Sequence, residues 1–102
     1  MSFTRFQMLV FAACSQIPRG KVSTYAEIAK AVGNPNAARA VGNALNKNPY
    51  DGVPCHRVVN SNGSLGGFAH GPEAKALKLA KERVAVEKGR VKDFTAKFHR
   101  LR

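Results

Sequence analysis

The chain has 102 residues, a length that fits one domain with a modest core and leaves no room for a second. Its 17 Lys and Arg residues against 6 Asp and Glu give a formal net charge of +11, and the basic residues are spread along the whole sequence. A folded basic surface of this kind favours a polyanionic partner. No run of about 20 apolar residues predicts a membrane-spanning helix, and we expect a cytoplasmic protein that does not bind membranes.

Apolar spacing and capping residues predict three helices in the first half of the chain. The first covers residues 4–17 and the second covers 21–33. After a turn, residues 36–48 form the third, with Asn34 or Asn36 as its N-cap. Two short helices joined by a turn that contains glycine predict a helix-turn-helix.

The second half mixes short strands with one more helix. Residues 55–60 predict a strand, 61–72 a glycine-rich loop or wing, and 73–86 a helix with its lysines in solvent. Residues 84–94 alternate around a Lys-Gly turn and predict a hairpin, and the basic end, 94–102, is a short helix or a loose tail. The residues of the fourth helix expected to face the core are Ala76, Leu77, Leu79 and Ala80. The predicted fold class is mainly α with short β elements, a winged-helix-like domain containing a helix-turn-helix.

A candidate nucleophile stands in the segment VPCHRVV, where Cys55 lies between Pro54 and His56. A cysteine becomes reactive when it is accessible and a nearby base or positive charge favours its thiolate. Neighbouring side chains on a strand point to opposite faces, so contact with His56 needs a bend, which Pro54 favours, or a bridging water. Glu82 is the preferred acceptor to orient the imidazole, the alternative being an ion pair with Lys78 or Lys81. The sequence shows no metal-ligand spacing, so no metal site is predicted.

The motif PCHRVV resembles the active-site motif of the O6-alkylguanine-DNA alkyltransferases, also called methylated-DNA–protein-cysteine methyltransferases. The likeness runs from about residue 4 to residue 90, in family order. Further stretches that carry it are IPRGKVSTYAEIA, GNPNAARAVGNAL, NKNP and NGSLGGF. The resemblance implies that residues 1–102 form the catalytic and DNA-binding domain that stands C-terminal in many members, with no N-terminal domain.

The resemblance also implies catalytic roles. Cys55 takes the alkyl group from O6 of guanine and keeps it as a thioether. His56 acts as the base through a water molecule, Glu82 orients it, and Asn48 shapes the turn beneath the active site. No cofactor is implied, and each molecule acts once.

Four further residues match family positions that handle DNA. Tyr25 and Arg39 match the pair that extrudes the nucleotide, and Asn34 and Ser61 match positions that hold the DNA backbone. The implied partner is double-stranded DNA containing O6-alkylguanine, bound by a monomer associated with the nucleoid. The alternatives are that Tyr25 is an ordinary half-buried tyrosine and that Arg39 is a solvated helix residue.

Departures from the family pattern leave an alternative function open. Phe68 stands at a lesion-contacting position where members commonly have tyrosine, so the hydroxyl that stabilises the leaving oxygen is absent. Ala69 replaces a frequent serine, His70 a glycine, and Asn43 the second glycine of RAVGG. Alkyltransferase-like proteins share the fold, bind the lesion, transfer nothing and recruit excision repair, but they commonly lack the cysteine that this chain retains. A winged-helix module with an incidental thiol is the third alternative.

Overall fold

Five helices, one 3₁₀ turn and four two-residue strands make up the part of the chain that the structure, a computed structural model, describes: residues 2–67 and 71–101. The predictions on Phe68, Ala69 and His70 lie outside the described residues. In chain order the elements are α1 Arg5–Cys14, β1 Ser23–Thr24, α2 Tyr25–Ala31, α3 Ala38–Asn46, the 3₁₀ turn Cys55–Arg57, β2 Val58–Val59, α4 Pro72–Lys81, β3 Val86–Glu87, β4 Arg90–Val91 and α5 Phe94–Lys97. Strands β1 and β2 pair in parallel, and β3 and β4 are antiparallel. The predicted class, mainly α with short β elements, is confirmed.

The helix-turn-helix has a well-defined first helix. Thr24 caps α2 by accepting a hydrogen bond from the Glu27 N–H. At the other end Gly33, at φ +85°, allows the last carbonyls to be satisfied: its own N–H donates to Lys30, and the N–H of Asn34 donates to Ala29. The helix is shorter than the predicted 21–33, because Ser23–Thr24 form β1 and α2 begins at Tyr25, while its end lies two residues before Gly33.

The predicted cap of α3 is wrong. Ala37 is the N-cap and makes no side-chain hydrogen bond. Asn34 already belongs to the end of α2, and a turn closed by the Ala37 N–H on the Asn34 carbonyl leads directly into α3. The turn between the helices therefore sets where α3 begins, and neither Asn34 nor Asn36 caps it.

Strand β2 lies between two hydrophobic cores. Its two side chains point to opposite sides, as strand geometry requires: Val58 packs with α1, α2 and α3, and Val59 packs with Leu79 of α4 and with Val91. Both valines are fully buried. The parallel pairing of β2 with β1 also sets Thr24, and so the start of α2, beside the segment that follows Cys55.

Helix α4 ends earlier than the sequence predicted. Arg83 adopts a left-handed conformation at φ +66°, its N–H donates to Ala80, and the N–H of Val84 donates to Leu79. Val84 and Leu79 are both buried in the second core, so their contact stabilises this stop. Two of the residues predicted to face the core, Leu77 and Ala80, are exposed instead.

Lys75, predicted to lie in solvent with the other lysines of α4, is fully buried. It precedes Leu79 by one helical turn and so shares the buried stripe. Its ammonium donates to the carbonyls of Leu65 and Gly67 and to the hydroxyl of Tyr25. Burial lowers the pKa of Lys75 to about 8. The lysine therefore ties the loop before α4 to the beginning of α2.

The C-terminal part folds back on the rest. The predicted hairpin is present, with Lys88 and Gly89 both at positive φ in its turn. After α5, the tail docks: the Leu101 N–H donates to the buried carboxylate of Glu27 at 2.8 Å, and Leu101 joins the first core. Of the two alternatives for the basic end, the short helix is observed. Within the described ranges, no helix is long and apolar enough to cross a membrane.

Replacing Lys75 with methionine tests the hydrogen bonds that its buried ammonium makes. Lys75→Met keeps the unbranched stem but leaves the Leu65 and Gly67 carbonyls without this donor, so we expect the free energy of unfolding to fall by about 1–3 kcal/mol. Urea denaturation measures the loss, and hydrogen exchange should quicken in residues 60–67. The matched control is Lys78→Met, at an exposed position of the same helix. Equal losses of unfolding free energy in the two variants would contradict a stabilising role for the buried Lys75 hydrogen bonds.

Candidate active site

The cysteine of PCHR lies on a tight turn and not on a strand. Pro54, at φ −81° and ψ 62°, forms an inverse γ-turn in which the Cys55 N–H donates to the Val53 carbonyl at 2.8 Å. The Arg57 N–H then donates to the Pro54 carbonyl, which closes a 3₁₀ turn over Cys55–Arg57. The predicted strand is therefore confined to Val58–Val59, and the proline supplies the expected bend.

Asn48 holds the loop that precedes this turn. Its side-chain oxygen accepts from the Tyr50 N–H at 2.9 Å, and its side-chain N–H group donates to the Tyr50 carbonyl at 3.1 Å. The same nitrogen lies 3.5 Å from the Val53 carbonyl and 3.9 Å from Cys55 Sγ. The asparagine thus spans the loop and contacts the sulfur weakly, which places it next to the candidate nucleophile.

One carboxylate holds both residues that follow Cys55. His56 Nε2 lies 2.9 Å from Glu82 Oε2, and Arg57 donates to both oxygens of Glu82 at 2.8 Å. The remaining arm of Arg57 donates to the Ile17 carbonyl at 2.7 Å. Glu82 is the C-cap of α4, so this cluster connects the cysteine turn to α4 and to the segment after α1. The alternative pairing of Glu82 with Lys78 or Lys81 is not observed among the described residues.

The protonation of this cluster follows from its contacts. Burial alone would raise the pKa of Glu82, but hydrogen bonds from Arg57 and His56 outweigh it and lower the pKa to about 2. Burial also lowers the pKa of His56, more than Glu82 raises it. At neutral pH the carboxylate is therefore ionised and the imidazole is neutral. Nε2 then carries the proton that Glu82 accepts, and Nδ1 is free to accept another.

Cys55, which is partly exposed, lines a cavity of about 310 Å³, within the usual size range of ligand pockets. Tyr25, at the start of α2, and Arg39, on α3, line the same cavity together with Asn60 and Gly67. Gly42 of α3 faces the Tyr25 ring, 3.8 Å from where a Cβ would stand, so the two helices are in ordinary contact at this wall of the cavity. The structure thus brings the predicted nucleophile and the predicted base-flipping pair around one space.

A second cavity, of about 390 Å³, lies on the imidazole side of Cys55. Its lining includes Cys55, His56, Asn48 and Lys78. Tyr50 forms another part of the wall, and its ring packs near the rings of Phe3 and Phe11, at centroid distances of 6.0 and 5.9 Å. Cys55 is therefore shared by two spaces, one bounded by the helix-turn-helix and one by the candidate base.

The remaining predicted residues lie apart from the sulfur. Among the residues described, Asn34 and Ser61 are exposed and line neither cavity, and Phe68 lies outside the described ranges. Cys14 is fully buried in the first core, as predicted, and burial raises its pKa to about 12. In residues 2–67 and 71–101, no three His, Cys, Asp or Glu side chains are grouped to hold a metal ion.

Two residues of the site were not singled out from the sequence. Asn60 lines the first cavity, and Lys75 bonds the Tyr25 hydroxyl, which also donates to the Gly67 carbonyl at 3.2 Å. The signal for Lys75 was present, since it lies four residues before the buried Leu79. Gly66, at φ +72°, leaves only 3.0 Å between a would-be Cβ and the Tyr25 hydroxyl, so this position in the loop needs glycine.

A helix-turn-helix, the wing loop (here the described residues 60–67) and a cysteine turn around one cavity define a DNA-binding domain with a candidate nucleophile. Residues 5–84 match the protein family described as 6-O-methylguanine DNA methyltransferase, DNA binding domain. The chain belongs to this family, and it is 51% identical over 80 residues to a methylated-DNA–protein-cysteine methyltransferase of Methanosarcina acetivorans. An inducible enzyme of the same name from Bacillus subtilis is 46% identical over 83 residues. These matches cover 78% and 80% of the chain, which spans about half the length of both relatives.

Two solved structures extend the comparison. The structure of S. pombe Atl1 in complex with damaged DNA containing O6-carboxymethylguanine superposes with a TM-score of 0.85 at 36% identity, covering 98% of this chain and 99% of that one. The Mycobacterium tuberculosis protein OGT in complex with DNA gives a TM-score of 0.77 at 43% identity, covering 80% of this chain and 51% of that one. The similarity to Atl1 therefore includes the C-terminal hairpin and tail.

Replacing Glu82 with glutamine tests the shared carboxylate. Glu82→Gln leaves the Arg57 guanidinium without its partner, and we expect a loss of about 3–5 kcal/mol in unfolding free energy at pH 7. The depressed pKa means that the stabilisation is present above the unfolded value of 4.5 and disappears as the pH falls towards about 2. In urea titrations, the wild type and the variant should therefore converge over that window. Glu87→Gln, at an exposed position, should stay within about 1 kcal/mol at every pH; a pH-independent deficit in Glu82→Gln would contradict the assignment.

Proposed function

We propose that this chain removes an alkyl group from O6 of guanine in duplex DNA and keeps it on Cys55, so that each molecule acts once. The observation that carries the proposal is the position of Cys55 between two cavities. One is lined by Tyr25 and Arg39, and the other by His56. A displaced base can thus approach the sulfur from one side while the thiol proton leaves on the other.

The chemistry is a direct displacement. Cys55 Sγ attacks the carbon bound to O6, the S–C bond forms, the C–O bond breaks, and the electron pair of that bond stays on the guanine. His56 receives the thiol proton at Nδ1 through a water, because Nε2 is engaged by Glu82. Guanine takes up one proton as it leaves, so the total number of protons is unchanged. Because the product thioether is stable, Cys55 is not regenerated and the protein reacts only once.

The base must leave the helix before it can react, since the target atom is inaccessible inside a duplex. Extrusion costs a few kcal/mol of unstacking. Arg39 is exposed near the start of α3 and at the edge of the cavity, where its side chain can fill the gap in the stack. Tyr25 forms the facing wall and is held by Lys75. The net charge of +11 supplies sequence-independent affinity for phosphates.

A second candidate function is recognition of O6-alkylguanine without transfer. The observation that favours it is the match with S. pombe Atl1, which covers nearly the whole of both chains. The retained Cys55 favours transfer, because the family resemblance makes loss of this cysteine the mark of the non-transferring proteins. The two functions differ in one measurable product, the thioether.

The first experiment looks for that thioether. After incubation with one equivalent of an O6-methylguanine duplex, intact-protein mass spectrometry should show a gain of one methylene group in the wild type, mapped to Cys55. Cys55→Ser should show none. Cys14→Ala is the matched control, because Cys14 is fully buried and should leave the gain intact.

Two results would overturn the transfer proposal. Lesion binding tighter than binding to undamaged duplex, with no mass gain, would establish the sensor function in its place. Equal affinity for both duplexes without a mass gain would leave a general DNA-binding module.

The role of Arg39 has its own test. Arg39→Ala should slow alkyl transfer from duplex DNA by about tenfold or more, equivalent to about 1.4 kcal/mol of lost insertion energy. Transfer from free O6-benzylguanine, which needs no extrusion, should stay close to the wild-type rate. Arg5→Ala removes an exposed charge from α1 and serves as the control. Equal slowing with both substrates would exclude Arg39 from extrusion.

A further inference from the structure

The hairpin β3–β4 lies beyond residues 5–84, the part that matches the family, yet it is joined closely to the wing loop, residues 60–67. The Leu65 N–H donates to the Gly89 carbonyl at 3.1 Å, and the Val91 N–H donates to the Gly63 carbonyl at 2.9 Å. Ser64 and Arg90 form an antiparallel bridge. The hairpin therefore extends the wing sideways as one small sheet.

A chain of contacts leads from the first cavity to this sheet. Asn60 lines the cavity beside Cys55, and its side-chain N–H group donates to Ser64 Oγ at 2.9 Å. Directly opposed residues of an antiparallel pair place their side chains on the same face, so Ser64 and Arg90 share one face of the sheet. Arg90 thus stands next to Ser64, which is one hydrogen bond away from Asn60 in the cavity wall.

The exposed face of the hairpin is basic. Val91 points into the second core, so Arg90 and Lys92, its neighbours on either side, point away from it. Lys88 lies in the turn. Glu87, opposite Arg90 in the pairing, is the acidic residue of the paired strands, and Asp93 follows Lys92; within the described residues no ion pair joins either to Arg90 or Lys92.

We propose that this face, carrying Lys88, Arg90 and Lys92, is a second phosphate-binding surface, which holds the DNA backbone beyond the wing. The proposal rests on the proposed function only in taking DNA as the partner. Cationic side chains contact phosphates whatever the base sequence, and each neutralised phosphate steepens the dependence of log K on log salt by about 0.9. The hairpin would thus add affinity and length to the footprint without adding lesion selectivity.

The test compares two exposed arginines that carry the same charge. Arg90→Gln and Arg5→Gln are titrated with lesion and undamaged duplexes by fluorescence anisotropy between 50 and 200 mM salt. We expect Arg90→Gln to reduce the salt slope by about 0.9, equally on both duplexes, and Arg5→Gln to leave it unchanged. The triple variant Lys88→Gln, Arg90→Gln and Lys92→Gln should reduce it by about two to three.

Glu87→Gln tests the same surface through a gain of DNA affinity, which a loss of protein stability cannot produce. Removing this acidic charge should tighten binding to both duplexes. Unchanged slopes in the triple variant, or equal changes in Arg90→Gln and Arg5→Gln, would overturn the proposal. The salt slope on undamaged duplex is measured without any alkyl transfer. If Cys55 is never alkylated, the proposed function fails, but this slope still tests the hairpin surface.

Discussion

The carboxylate of Glu82 is the interaction on which the arrangement of the site depends. It lies at the end of α4 and holds two consecutive residues of another segment, His56 through one nitrogen and Arg57 through two. Arg57 in turn donates to Ile17, so one partly buried cluster joins three parts of the chain around the turn that bears Cys55. The cluster keeps its geometry because moving Arg57 away would leave the buried Glu82 carboxylate without a compensating charge.

The position of Cys55 follows from this arrangement. The proline-directed 3₁₀ turn sets the sulfur where the two cavities meet, one lined by Asn48 and His56 and the other by Tyr25 and Arg39. Under the proposed function, the base and the thiol proton would use separate cavities.

Local signals predicted much of this structure from the sequence. The helices before residue 50, the Lys-Gly hairpin, the buried Cys14 and the pairing of His56 with Glu82 were all expected, because caps, turns and apolar spacing act over a few residues and because the family resemblance supplied the long-range pair. The misses have two causes. The position of Lys75, four residues before Leu79, indicated the buried face, but the groups that satisfy its ammonium are tertiary: the Leu65 and Gly67 carbonyls of the loop before α4, and the Tyr25 hydroxyl, 50 residues away. The strand at Cys55 is replaced by a local turn; Pro54 indicated a bend, but the β-branched run after it favoured a longer strand than the one observed.

The docking of the tail bears on how the protein is made. Glu27 is buried within the helix-turn-helix, and the backbone amide that satisfies its carboxylate belongs to Leu101, 74 residues away. Until residue 101 has left the ribosome, this carboxylate lacks that donor and the first core lacks one of its apolar members. Contacts between distant residues slow folding. The nascent helix-turn-helix is therefore incomplete until residue 101 has emerged, and the domain closes only after that point.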